Sequence, residues 1–200
     1  MVICHSKKCI FIHIPKTAGT SIEQFIRNKG KNYLELIGVQ YNRSLHHLTA
    51  HEIKKMYPYQ FNIYYKFAII RNPYDRLLSE YYWTPVKGLG YKSGKTKADF
   101  LYNVINIVSK SKYLDNIYFD HFIPQHMFVY EGKNLLVDQL FKFESLDLAS
   151  TVIQKNLDIH EPFPVLNKTD SSNRIYWTQR QKEKIYELYK KDFLMFNYEK

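Results

Sequence analysis

The sequence predicts a single α/β domain spanning residues 1–200, built on a parallel sheet of four or five strands flanked by helices. Two stretches carry most of that reading. Cys9 to Ile26, CIFIHIPKTAGTSIEQFI, passes from an apolar run rich in β-branched residues through a loop of small residues into helical spacing at Ile22, Phe25 and Ile26. Lys66 to Trp83, KFAIIRNPYDRLLSEYYW, repeats the strand, loop, helix order. Further strands are expected at 33–39 and at 139–143, the latter around LFKF.

Taken in order, the first strand covers 9–14, the loop runs from Pro15 to Ser21, and the helix follows. YLELIGV at 33–39 reads as a short strand. In SLHHLTAHEIKKM, Thr49 and Glu52 form a capping box, and Leu48 with Ile53 occupy hydrophobic-staple positions, so a helix starts at Ala50. His46 and His47 therefore fall in the loop before that helix, and His51 falls in its first turn. The strand 66–70 ends at Arg71, after which Asn72 is an N-cap, Pro73 the first helical residue and Asp75 an acid in the first turn. Tyr74, Leu77, Leu78, Tyr81 and Tyr82 form that helix's apolar stripe, with Asp75, Arg76 and Ser79 off it. Trp83–Lys97 reads as a surface loop, and Ala98–Lys110 returns to helical spacing through Leu101, Val104, Ile105 and Val108. A second capping box, Thr178 with Gln181, opens a last helix whose apolar face is Ile185, Leu188, Tyr189 and Phe193.

Composition narrows the function classes. Two hundred residues, 45% hydrophobic, suffice for one well-packed core and are short for two. There is no run of eighteen apolar residues, and MVICHSKK lacks a signal-peptide core, so the chain is expected to be soluble and, in a bacterium or virus, cytoplasmic. Cys4 and Cys9 are the only cysteines. A zinc site there would need His5 or His13, but alternate strand residues face opposite ways, so no metal is expected and the thiols are read as free or buried. The net charge of +10 favours an anionic partner: nucleic acid, an acidic polymer or a charged cofactor. The lysines are scattered, without a basic tail, and the aromatics lie in apolar stripes rather than between exposed basic residues. No nucleic-acid partner is therefore expected.

Two clusters carry chemistry. A loop of small residues before a helix offers backbone N–H groups and the positive end of the helix dipole, which suits a phosphate or sulfate. Lys16 adds a charge, and Thr17, Thr20 and Ser21 add hydroxyls. The order differs from the nucleotide-triphosphate loop G-x-x-x-x-G-K-[ST], because Lys16 comes first and a single Gly19 follows. The alternative is an ordinary strand-to-helix turn with a surface lysine. Arg71, at a strand's carboxyl end, and Ser79, on the next helix, are placed to grip one anionic group; alternatively Arg71 pairs with Asp75. A histidine beside a helix N-terminus tends to stay neutral, and a neutral imidazole accepts a proton.

HIPKTAGTS followed by IIRNPYDRLLSEYY resembles the two cofactor motifs of sulfotransferases that use 3'-phosphoadenosine 5'-phosphosulfate (PAPS), most closely the carbohydrate type related to heparan sulfate 2-O-sulfotransferases. HFIPQHMFVY at 121–130, LFKF with Glu144 and Ser145, and YELYKKDFLMFNYE resemble later landmarks of that family. The resemblance implies a P-loop-kinase-like sulfotransferase fold. It assigns Lys16, Thr17, Ala18, Gly19, Thr20 and Ser21 to the 5'-phosphosulfate, and Arg71 and Ser79 to the 3'-phosphate. It makes Lys168, Thr169 and Arg174, in LNKTDSSNR, secondary candidates for a loop over the cofactor, with a solvated loop as the alternative. The implied reaction moves a sulfuryl group from PAPS to a hydroxyl, on a carbohydrate acceptor or alternatively on a protein tyrosine or a small molecule, and releases 3'-phosphoadenosine 5'-phosphate without a metal. Lys16 neutralises the leaving phosphate, and the base is His47, ahead of His46 and then His51, with a glutamate as the family's other solution. In the loop after the second motif's helix, Trp83 or Tyr91 could stack on a sugar ring of the acceptor; the alternative is that both are ordinary core or surface aromatics. The rival readings are a P-loop-type nucleotide-binding kinase, which would share the strand-loop-helix start, and a basic nucleic-acid-binding module, which would share the charge.

Overall fold

The computed structural model describes residues 2–29, 33–35, 39–40, 43–83, 96–109, 119–161 and 176–200. Its elements run β1 (Val2–Cys4), β2 (Cys9–Ile12), α1 (Gly19–Lys29), β3 (Tyr33–Glu35), β4 (Val39–Gln40), β5 (Arg43–Ser44), α2 (Ala50–Met56), α3 (Pro58–Ile63), β6 (Tyr65–Ile70), α4 (Pro73–Trp83), α5 (Lys97–Ser109), α6 (His126–Val129), β7 (Tyr130–Glu131), β8 (Asn134–Leu135), β9 (Gln139–Lys142), α7 (Leu146–Leu157) and α8 (Gln179–Met195). Five strands form one sheet in the order β3-β1-β2-β6-β9.

The sheet is mixed rather than wholly parallel. β2, β6 and β9 run parallel, while β1 is antiparallel to both β2 and β3. The reason is connection length: only residues 5–8 separate β1 from β2, enough for a hairpin, whereas a parallel pairing needs a crossover of roughly a dozen residues or more. The stretch expected as one strand at 33–39 is divided, with β3 in the main sheet and β4 paired to β5.

Strand alternation sorts the core into two layers. Ile10 and Ile12 of β2 and Ala68 and Ile70 of β6 face one side, packed with Leu48, Ile53, Phe61, Phe128 and Val129. Cys9, Phe11, Phe67 and Ile69 face the other, where Ile22, Phe25 and Ile26 of α1 and Ala149, Ile153 and Leu157 of α7 cover them. A third cluster joins α4, α5 and α8 through Leu77, Leu78, Phe100, Leu101, Trp177, Ile185, Tyr189 and Phe193. Both expected capping boxes form, at Thr49 with Glu52 and at Thr178 with Gln181. Among the described residues, no helix is long and apolar enough to cross a membrane.

The register Phe11↔Phe67 and Ile70↔Lys142 aligns the carboxyl ends of β2, β6 and β9. The segments leaving those ends, 13–18, 71–72 and 143–145, therefore share one rim of the sheet, the edge at which parallel α/β layers bind ligands.

Candidate active site

The β2–α1 junction is built from backbone that side chains disfavour. Lys16 and Ala18 both have left-handed conformations, with φ of 68° and 70°. For a residue bearing a Cβ such a conformation costs about 1–2 kcal/mol. Alternating the chain's handedness in this way turns successive N–H groups toward a common concavity, a geometry suited to anions. Gly19 follows because nothing larger fits: a Cβ there would lie 1.8 Å from Nε2 of His13. Thr17 is buried and its hydroxyl donates inward to the Ile14 carbonyl at 2.8 Å, while Thr20 is exposed and Ser21 is buried.

Two arginines from the β6–α4 junction hold this loop. Arg71 donates from Nη1 to the Lys16 carbonyl at 3.2 Å, and its guanidinium lies 4.0 Å over the Phe143 ring. Arg76 is 3% exposed and donates to three carbonyls, Pro15 at 3.1 Å, Ile123 at 3.0 Å and His121 at 3.0 Å. The expectation that Arg76 lies off the buried stripe is thus corrected: α4 buries Arg76 and Glu80 one turn apart, so its inner face is partly charged. Arg71 is itself fixed through its backbone. The Gln125 side-chain amide accepts from Arg71 N–H at 2.9 Å and donates to Arg71 C=O at 2.8 Å. Asp192 of α8, wholly buried, accepts from Gln125 N–H at 2.6 Å and His126 N–H at 2.9 Å. The junction's own cap is conventional, with Asn72 Oδ1 accepting from Tyr74 N–H at 2.9 Å. Ser79 sits half-buried on α4, eight residues beyond Arg71.

A cluster of imidazoles lies beside the loop. His47 closes a 3₁₀ turn, Leu45–His47, just before the capped α2. Its Nδ1 is 3.0 Å from the His13 carbonyl, which only accepts, so Nδ1 carries the proton and Nε2 is the basic atom. Burial, then the neighbouring imidazoles of His13 and His121, hold His47 well below the ordinary histidine range. The rings of His13 and His121 flank it, with centroids 4.6 Å and 5.0 Å away. Each flanking histidine has a buried carboxylate on Nδ1: Glu23 at 2.9 Å for His13 and Glu80 at 2.8 Å for His121. Burial lowers His13 and works to raise Glu23, but the His13 hydrogen bond keeps that carboxyl below the usual range, so the shared proton sits on His13. Burial likewise opposes charge on Glu80, but its pairing with His121, with Lys16 and Arg76 nearby, holds the carboxyl below the usual range. Trp83 stacks on His121 at 5.1 Å, and Lys16 Nζ lies 4.6 Å over the Trp83 ring, which joins the lysine loop to the histidines.

Lys16, Arg71, His47 and His46 thus share one region, whereas His51 faces away and pairs with Glu131 at 2.5 Å. Lys168, Thr169, Arg174 and Tyr91 lie outside the described residues. His121, Glu80, Glu23 and Gln125 were not singled out by sequence reasoning. The signal available for two of them is HFIPQHMFVY, in which a histidine and a glutamine bracket a proline-bounded turn.

A model of the sulfotransferase family matches residues 1–199. Neither a curated protein nor a solved structure gives a match to the chain.

Proposed function

The chain belongs to the sulfotransferase family, and from that premise we propose that it transfers a sulfuryl group from PAPS to a hydroxyl acceptor on a carbohydrate, in the manner of the type related to heparan sulfate 2-O-sulfotransferases. We read residues 1–200 as one such domain, with no nucleic-acid partner. The observation that carries the donor assignment is the hydrogen bond from Arg71 to the Lys16 carbonyl, which makes the two junctions one cradle at the carboxyl edge of the sheet. A donor with anionic groups at both its 5' and 3' positions suits such a cradle. The left-handed loop and the start of α1 take the 5'-phosphosulfate, and Arg71 with Ser79 takes the 3'-phosphate.

In this reading the acceptor oxygen forms a bond to sulfur as the bond from sulfur to the bridging oxygen breaks. The enzyme's part is to hold the groups in line and neutralise charge. Lys16 balances the charge that grows on the departing phosphate. Nε2 of His47 takes the acceptor's proton, and the carboxylates of Glu23 and Glu80, each one ring away, ease the charge that His47 then carries.

Calorimetric titration with PAPS, ATP and a single-stranded oligonucleotide tests the donor. PAPS should bind tightest; tighter ATP binding would point to a kinase, and tighter oligonucleotide binding to a nucleic-acid module. His47→Ala should lower turnover by roughly 10²–10⁴-fold with PAPS affinity nearly unchanged. Because the folded value of His47 lies well below the ordinary one, its basic form persists as pH falls past about 6.5, and the acid limb of the rate profile should lie below that point. If His46→Ala abolishes turnover while His47→Ala keeps it, the base moves one residue; if both stay active, a glutamate takes the role.

A further inference from the structure

Around His13, donor side chains from three separate elements converge. His13 leaves β2, Glu23 belongs to α1, and His46 sits in the 3₁₀ turn before α2. One ligand atom of each lies within 4.8 Å of the others. His13 and Glu23 are buried and His46 is half-buried. We propose that this trio is a binding site for one divalent cation of the zinc class.

The donor set is two imidazoles and one carboxylate, which suits zinc and its transition-metal neighbours over magnesium or calcium, whose shells are oxygen-rich. Zinc bonds to nitrogen and oxygen of about 2.0–2.2 Å put the donors of a tetrahedral site roughly 3.4 Å apart. His13 Nδ1 and Glu23 Oε1, at 2.9 Å, are already slightly closer than that, so a small opening of this pair and an inward turn of His46 complete three ligands. Arg27 Nη2 stands 3.6 Å from the other carboxylate oxygen, Oε2, so Glu23 stays anchored while Oε1 faces the ion. The charge of Arg27 opposes the cation, but its side chain is 33% exposed and its head can move into water.

Coordination involves no electron transfer. The proton on His13 Nδ1 must leave that atom, passing to Nε2 of the same ring or to solvent, so acid weakens binding.

The test is zinc titration of the full chain in competition with a chromophoric chelator. One zinc per chain is expected, with no comparable magnesium binding. His46→Ala and Glu23→Gln should each weaken zinc by on the order of tenfold or more. His51→Ala and His160→Ala, which alter histidines outside the trio, should leave it unchanged. Glu23 is buried, so if its variant fails to fold, the half-exposed His46 decides. No zinc binding, binding insensitive to His46→Ala, or equal binding of magnesium overturns the site. A wild type that neither binds PAPS nor turns over removes the sulfuryl-transfer reading and leaves the zinc result standing.

Discussion

The β2–α1 and β6–α4 junctions have the same place in the fold and opposite constructions. The second is relaxed: Asn72 caps its helix, Pro73 occupies the first turn, and no residue there is left-handed. The first forces Lys16 and Ala18 into left-handed backbone and crowds Gly19 against His13. The relaxed junction holds the strained one, because Arg71 and Arg76 both hydrogen-bond its carbonyls. Strain in the first junction therefore persists because an adjacent, well-formed helix start over-determines it.

The comparison breaks most directly at Arg76. Arg76→Met removes a buried cation with three carbonyl partners and should cost about 3–5 kcal/mol in denaturant unfolding. Wild-type stability in that variant would mean that the first junction holds itself. Arg71→Ala should cost roughly 2–5 kcal/mol of affinity for 3',5'-ADP and much less for a nucleotide without the 3'-phosphate. Equal losses for the two nucleotides would reduce Arg71 to a loop staple. Gly19→Ala drives a methyl into the His13 ring and should cost about 1–3 kcal/mol, with the His13 and His47 imidazole signals shifted in NMR spectra. The smallest effect separates strain from packing. Ala18→Gly relieves a left-handed penalty of about 1–2 kcal/mol at a glycine entropy cost of about 0.5–1 kcal/mol, so a stabilisation of at most about 1.5 kcal/mol is expected. Clear destabilisation would show that the Ala18 methyl matters more than its φ.

Much of this was readable in the sequence where the signal is local. Thr49 with Glu52, Thr178 with Gln181 and the Asn72–Pro73 start declare themselves within four residues, and the apolar runs of β2 and β6 mark the central strands. What was not readable depends on distant partners. Arg76 and Glu80 look like a solvated i,i+4 pair until His121 and the Pro15 carbonyl arrive from elsewhere. β1 escaped notice because three residues leading into a hairpin carry too little periodicity. The histidine cluster draws on positions 13, 46, 47 and 121, and no spacing rule links them. Helical spacing placed Tyr74, Tyr81 and Tyr82 in the buried stripe; they are half-buried and pack against the α4–α8 cluster.

The Asp192 clasp has a consequence for the order in which this protein can be made. Everything that contacts the donor in the proposed reading, from Lys16 through Ser79, leaves the ribosome well before residue 192, yet the carboxylate that fixes Gln125, and through it the Arg71 backbone, comes from α8. A nascent chain halted before that helix carries both motifs and lacks the tie that sets the arginine. Donor binding during synthesis should therefore switch on late, as α8 docks, rather than when the motifs themselves emerge.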